Sequence, residues 1–507
     1  MLKIFTLKNK ISLEDFIRLC SADAQIRLNS DQKRKIKQGR EIITRLIKKG
    51  SRIYGVNTGF GALAQEVIDE AKIDELQVNL IRSHACGVGD PLPKEIAKGA
   101  ILLLINSLSR GYSGINPKTV EMLVGMFNKG VIPVIPEKGS VGASGDLVPL
   151  AHLALALIGE GEAYYKNKRQ AAKSALSKAG LKPVKLGAKE GLALLNGTHI
   201  MTAMAAFCLH RALKMLAIAD IASAMSLEAL KGTDAFLKED IHRLRPHPGQ
   251  LFTANNLRRL VEGSQIIASH RNCPKVQDAY SIRCIPQVHG ASRDAVSYVK
   301  KVIETEMNSV TDNPLFFKNN RAISGGNFHG QPIALAMDFL GIALSELADI
   351  SERRVEKLIN PQTNGLSPFL MKDSGLNSGF MVVQYTAASL VSHNKVLSHP
   401  ASVDSIPTSA NLEDHVSMGS ISCRKALEIC DNTENVLAIE LLTAAQALDF
   451  HKPLKPGKGT GAAYGIVRKF IPFIKKDTAL YKYINKIFSL IESGLIQKEA
   501  ENLVGKL

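Results

Sequence analysis

The chain contains no tryptophan, and phenylalanine, tyrosine and tryptophan together make up only 5% of its 507 residues. Proteins that grip single-stranded nucleic acid stack bases on aromatic side chains, so this supply argues against that role. No zinc-finger spacing and no RNA-recognition signature occurs. The net charge of +17 is high, but the basic residues are spread rather than clustered, and they read as solvated helix faces. No nucleic-acid partner is expected. Cysteine is scarce as well: Cys20, Cys86, Cys208, Cys273, Cys284, Cys423 and Cys430 lie far apart. That pattern is neither a disulfide framework nor a Cys-x-x-Cys metal or redox motif. The opening MLKIFTLKNK lacks the apolar core of a signal peptide. The most apolar stretch, Thr198 to His210, meets Arg211 and Lys214 and is too short to span a bilayer. These absences imply a reduced, cytoplasmic protein with no membrane partner.

Long helical patterns are present instead. Hydrophobic residues reach 45%, enough for a large core, and a chain of this length should hold more than one subregion. From Gln331 to Ile359, apolar residues recur at helical spacing (Leu335, Phe339, Ile342, Leu347, Ile350) and stop before Pro361. Ser292 to Val310 reads as a second helix, ended by Asp312-Asn313-Pro314. A third runs from about Ser420 to Phe450, before Pro453. Helices of about thirty residues extend about 45 Å. Several such rods imply a bundle, and apolar residues nearly all round imply burial by neighbouring subunits. The first part has shorter elements and many Gly/Pro turns. The expected division is therefore residues 1–198 against a long-helix region with a C-terminal tail, residues 199–507.

Between the helices lie polar, glycine-rich segments that a packed bundle does not need. RIYGVNTGFG carries Tyr54. SHACG carries His84 and Cys86, but no further ligands fall at zinc spacing, so no metal is expected. KGSVGASGDLVPLAH, residues 138–152, spends small residues just ahead of an apolar helix; Walker A spacing fails there. GLALLNGT ends an apolar run on Asn196. VQDAYSIR places Gln277, Tyr280 and Arg283 at i, i+3 and i+6, either one functional helix face or a solvated stripe. GGNFHG contains Phe328, and PTSANLEDHVSM contains Glu413. Singly, each has an ordinary structural reading.

Taken in order, YGVNTGFG, SHACGVG, GSVGASGDL, EGLALLNGT, RPHPGQ, VQDAYSIRC, SVTDNPL, SGGNFHGQP and NLEDHVSMG resemble the histidine and aromatic amino acid ammonia-lyase family over nearly the whole length. The resemblance implies that Ala143-Ser144-Gly145 cyclises unaided into a 4-methylidene-imidazol-5-one. The Gly145 amide nitrogen attacks the Ala143 carbonyl carbon and water leaves. Ser144 then loses its hydroxyl as a second water. The small residues thus serve a sharp bend and an unhindered nucleophile. Asp146 is implied as a helper of that closure, with no metal or dissociable cofactor needed.

The same resemblance makes Tyr54 the base for the β-proton and Arg283 a bidentate clamp for the substrate carboxylate. Asn196, Gln277 and Tyr280 would hold the carboxylate, the amine and the electrophile's oxygen. Phe328 would pack beside that group. The implied fold is mainly α and fumarase/aspartase-like, a long central helical bundle with a smaller N-terminal region carrying the cyclising loop. The implied assembly is a homotetramer with active sites shared between subunits.

Two positions bear on the substrate. Phenylalanine-specific relatives carry Phe-Leu, and tyrosine-specific ones His-Leu, where this chain has Ser83-His84. Glu413 opposite a phenyl ring would be an unpaired charge, whereas an imidazole has two nitrogens for Glu413 and His84 to satisfy. The expected reaction is therefore elimination of ammonia from L-histidine to give trans-urocanate. The alternative is a lyase or 2,3-aminomutase of the same family acting on tyrosine or phenylalanine.

Overall fold

The computed structural model describes residues 4–8, 10–21, 24–271 and 276–507, so Cys273 lies outside the described residues. The chain does not divide once near residue 198. It forms two compact units, each built from three segments: Met1–Phe207, Lys300–Asp338 and Pro400–Arg424 make the first; Cys208–Val299, Phe339–His399 and Lys425–Leu507 the second. A linear cut fails because each unit is assembled from segments that interleave along the chain.

Those helices are α1 (His199–Ala229), α2 (Ile285–Glu306), α3 (Gln331–Ile359) and α4 (Gly419–Leu448). The sequence reading of α3 matches its observed bounds, since Asn360-Pro361 starts a new turn with the Asn360 side chain as cap. Helix α2 begins seven residues earlier than expected, because Pro286 sits in its first turn, where its missing N–H costs nothing. It ends at Glu306; the Asn308 side chain then donates to the Glu304 carbonyl at 2.8 Å. Helix α1 does not stop at Arg211. By length and composition it could cross a membrane, yet 72% of its most apolar window is buried inside the protein. It continues because the Arg211 guanidinium is neutralised by Asp431 at 2.5 Å and Glu434 at 2.8 Å. On α3, Leu347 and Ile350 are buried, whereas Leu335, Phe339 and Ile342, at i, i+4 and i+7, are exposed.

In the second unit the core carries charge. Glu440 on α4 accepts from Arg354 Nε at 2.5 Å and Nη2 at 2.9 Å, Ser226 Oγ at 2.7 Å and Ser351 Oγ at 2.6 Å. Asp220 on α1 accepts from His289 Nδ1 at 3.0 Å, Arg293 Nη2 at 2.7 Å and Asn256 Nδ2 at 2.8 Å. Burial lowers the His289 pKa, so its Nε2 stays available as the acceptor that faces Arg354 Nη1 at 3.4 Å. This cluster ties α1, α2, α3 and α4 together, with each of its two carboxylates accepting three or more hydrogen bonds.

All strands among the described residues fall in the first unit. They are short: a three-stranded sheet (Ile132–Pro133, Glu162–Tyr165, Lys168–Ala171) and three two-stranded ribbons. Two buried helices of the first unit set up the site. Leu147–Leu157 follows the small-residue loop, and Glu190–Leu195 leads into Asn196.

Candidate active site

The small-residue loop folds back on itself before its helix starts. Gly142 N donates to Ser140 Oγ at 3.1 Å, Ser140 Oγ to the Gly145 carbonyl at 3.2 Å, and Gly145 N to the Gly142 carbonyl at 3.2 Å. Gly142, Ser144 and Gly145 have φ of +85°, +49° and +81°. Only Ser144 among them bears a side chain, and a left-handed residue with a side chain is strain held at a special position. A Cβ on Gly145 would lie 2.2 Å from the Gly197 carbonyl oxygen, so no larger residue fits. The neighbouring strand-like contact explains the crowding: Asp146 N donates to Gly197 O at 2.8 Å, and Gly197 N to Ser144 O at 3.2 Å.

Asp146 is fully buried. Its Oδ2 accepts the Ile200 and Met201 amides at 2.8 and 3.0 Å, at the N-terminus of α1, where a carboxylate is favoured by unpaired N–H groups. Its Oδ1 accepts Ser420 Oγ at 3.1 Å. Burial outweighs these donors and pushes the carboxyl up to about 7. An acid poised there, beside a bent loop whose glycine amide is unhindered, suits the ring closure implied by Ala143-Ser144-Gly145.

Tyr54 stands on a loop pinned by Asn57, which accepts from Ile53 N and donates to Ser51 O, each at 2.9 Å. Gly55 has φ +66°, and a Cβ there would meet Leu192 Cδ2 at 2.2 Å. Gly61 N donates to Tyr54 Oη at 3.1 Å, and the Tyr54 ring meets Phe60 edge-on. His84 ends the helix Ile73–His84, its Nδ1 3.0 Å from Ser83 Oγ. Burial lowers the His84 pKa, opposed by the negative charge of Glu413. Glu413 accepts Thr408 Oγ1 at 2.8 Å. Asn196 donates through Nδ2 to the Asn313 carbonyl at 2.7 Å, which leaves its own oxygen for a ligand.

Tyr54, His84, Ala143, Ser144, Asn196, Phe328 and Glu413 all line one cavity of about 690 Å³ within the first unit. Gly145 and Asp146 stand behind its wall. Gln277, Tyr280 and Arg283 do not line it: they belong to the second unit, where Arg283 stacks over the 71% exposed Tyr280 ring at 4.4 Å. Arg283 Nε donates to the Asp278 carbonyl at 3.1 Å.

Several contributors escape the sequence reading. The buried ion pair Lys189–Asp312, at 2.8 Å, sits behind Asn196: Lys189 also donates to the same Asn313 carbonyl at 3.0 Å. The two residues are 123 positions apart, and the only hint was the unassigned SVTDNPL motif. His329 and His415 stack at 5.8 Å in the cavity wall, and Ser420 holds Asp146. Among the described residues, no group of three or more His, Cys, Asp or Glu side chains is placed to hold a metal ion. The six described cysteines are free thiols.

Comparison with known proteins covers nearly the whole chain. The family model "Aromatic amino acid lyase" matches residues 11–469. The histidine ammonia-lyase of Caldanaerobacter subterraneus subsp. tengcongensis is 52% identical over 499 residues, 98% of each chain. The crystal structure of histidine ammonia-lyase from Trypanosoma cruzi superposes with a TM-score of 0.92 at 43% identity, covering 99% of this chain and 96% of that one. Tyrosine aminomutase from Streptomyces globisporus superposes with a TM-score of 0.93 at 34% identity over the full length of both chains. The architecture they share with this chain is mostly helical and fumarase-like.

Proposed function

The chain belongs to the aromatic amino acid lyase family, and from that premise we propose that it is a carbon–nitrogen lyase that eliminates ammonia from L-histidine to give trans-urocanate. The observation that carries the substrate is the pairing of His84 and Glu413 in the cavity that also holds Tyr54 and Ser144. An imidazole ring presents an N–H and a lone pair. Glu413 takes the first, and His84 lies near the second in the same cavity. A phenyl ring would leave Glu413 unpaired, at considerable cost.

With the ring so held, the substrate's α- and β-carbons lie between Tyr54 and Ser144. Tyr54 Oη, acting as the phenolate, takes the β-proton and becomes the neutral phenol; the Gly61 N–H aimed at that oxygen stabilises the anionic form that acts as base. Asn196, its amide nitrogen occupied by Asn313, offers its oxygen to the substrate amine. The 4-methylidene-imidazol-5-one formed from Ala143-Ser144-Gly145 supplies the strong electrophile that ordinary side chains lack. Asp146 moves the protons of its formation, and Phe328 walls the group in.

Gln277, Tyr280 and Arg283 complete the site from a neighbouring copy in a homotetramer. The exposed apolar row Leu335, Phe339 and Ile342 on α3 supports an assembly of that kind. Arg283 donates through Nε to the Asp278 carbonyl and, among the described residues, hydrogen-bonds through neither Nη, so both are kept for the substrate carboxylate. The free thiols suit a cytoplasmic location.

The test is to incubate the purified protein separately with L-histidine, L-phenylalanine and L-tyrosine, following product absorbance and free ammonia. Histidine alone should give urocanate with one ammonia per product, and Ser144→Ala should lose on the order of a thousandfold or more in rate. Cinnamate or coumarate, or a β-amino acid without ammonia, would overturn the assignment.

A further inference from the structure

Glu413 is held by more than its own backbone. Thr408 N donates to the Glu413 carbonyl at 3.0 Å, and Glu413 N to the Thr408 carbonyl at 3.2 Å, so the two residues close a small hairpin. Between them Ser409, Ala410 and Asn411 have φ of +53°, +52° and +67°. Residues with a Cβ enter the left-handed region singly and rarely; three in a row, none of them glycine, persist only where the surroundings fix them. Leu412 N closes the turn onto the Ser409 carbonyl at 3.1 Å. Ser409 Oγ accepts the Ala62 amide at 3.3 Å, which fastens the turn to the loop that carries Tyr54. At its base, Thr408 Oγ1 donates to Glu413 Oε2 at 2.8 Å.

We propose that Thr408 is a positioning residue for ring recognition, whose hydroxyl aims the Glu413 carboxylate so that Oε1 meets an imidazole N–H. The inference rests on the histidine reading given above. The chemistry is that of a broad torsion made narrow. The terminal torsion of a glutamate has no sharp rotamers, so its two oxygens exchange and tilt freely unless one is fixed. The Thr408 hydroxyl fixes one, on a turn too constrained to follow the side chain. An imidazole then finds an acceptor already in place and does not have to order it.

The test compares Thr408→Val, close in shape but with no donor, with Thr408→Ser, which keeps the hydroxyl; Thr408→Ala is measured beside them so that a folding defect of one variant does not decide the outcome. Calorimetric titration with imidazole-4-propionate and with 3-phenylpropionate separates the ring from the carboxylate common to both. In Thr408→Val and Thr408→Ala, imidazole-4-propionate should bind about tenfold more weakly, the usual scale for losing a hydrogen bond to a charged group, with phenylpropionate unchanged. Thr408→Ser should restore the parent value. A merely structural threonine would lower the melting temperature and weaken both ligands alike. That result, or no change in either, overturns the inference. If the parent makes no urocanate yet Thr408→Val still loses its imidazole preference, the histidine reading fails and the inference stands.

Discussion

Two polar clusters, one in each unit, are built in opposite ways. In the second unit, Glu440 accepts four hydrogen bonds and Asp220 three, all from neighbouring side chains. In the first, Asn196, Glu413 and His84 each spend one end on the protein and keep the other for a ligand. Asp146 is boxed in but held near the point of ionisation. Saturated polar groups fasten helices; half-saturated ones facing a cavity are left able to bind a ligand. Burial and charge alone do not tell these apart, whereas the hydrogen bonds still to be made do.

Breaking the saturated cluster should cost stability and leave chemistry alone. Arg354→Met strands the Glu440 carboxylate and should lower stability by about 3–5 kcal/mol. Adding Glu440→Leu should recover most of that, while histidine turnover per folded molecule barely changes in the double variant. Thermal unfolding beside urocanate assays checks both parts. A double variant no more stable than the single one would show that the cluster is not acting as a closed pair.

A smaller effect sharpens the comparison within the first unit. His199 is buried with both ring nitrogens unpartnered, and burial pushes its imidazole down to about 4. An unfolded histidine binds its proton near 6.5. Above that pH both states are neutral. As the pH falls from 6.5 towards 4, only the unfolded chain gains the proton, and the folded state loses about 1.4 kcal/mol per pH unit. Asp146 acts in the opposite sense: with its carboxyl at about 7, the folded state holds a proton that the unfolded chain lacks down to about 3.9. His199→Gln removes the first effect and keeps the second. Its melting temperature should therefore drop less than the parent's between pH 7 and pH 5. Equal drops in the two proteins would mean that His199 is not the group titrating.

The smallest effect lies at the surface. Arg82 makes a two-pronged contact with Glu160 at 3.0 and 2.6 Å, both side chains well exposed. Arg82→Ala should leave the melting temperature almost unchanged despite its position two residues before His84, because an exposed ion pair is screened by water. A larger loss, or a changed KM for histidine, would tie that exposed pair to the site.

How much of this was legible from residue order depends on the range of the interaction. Helix α3 was readable to its ends because spacing and a proline are local signals. Helix α1 ran past Arg211 because the neutralising Asp431 and Glu434 are over two hundred positions away. The small-residue loop, Tyr54, Asn196 and Glu413 stood out as motifs, and all reach the cavity. Gln277, Tyr280 and Arg283 stood out equally, yet this chain's own cavity does not include them. Thr408 and Lys189 gave no signal, since an ordinary threonine or lysine becomes telling only when its partner is seen. The division into residues 1–198 and 199–507 missed because the units are assembled from interleaved segments.

The packing around the small-residue loop also bears on how such a sequence can drift. A Cβ at Gly142 would stand 2.2 Å from Ser417 Oγ, and one at Gly145 2.2 Å from the Gly197 carbonyl oxygen. Neither clash involves the reaction. On the function proposed above, a descendant that exchanged Ser144 for alanine would lose its electrophile at once, yet the same close contacts would still exclude a larger residue at both glycines. Within this loop, then, the glycines are a record of ancestry and shape, and the serine between them is the letter that records whether the trade is still practised.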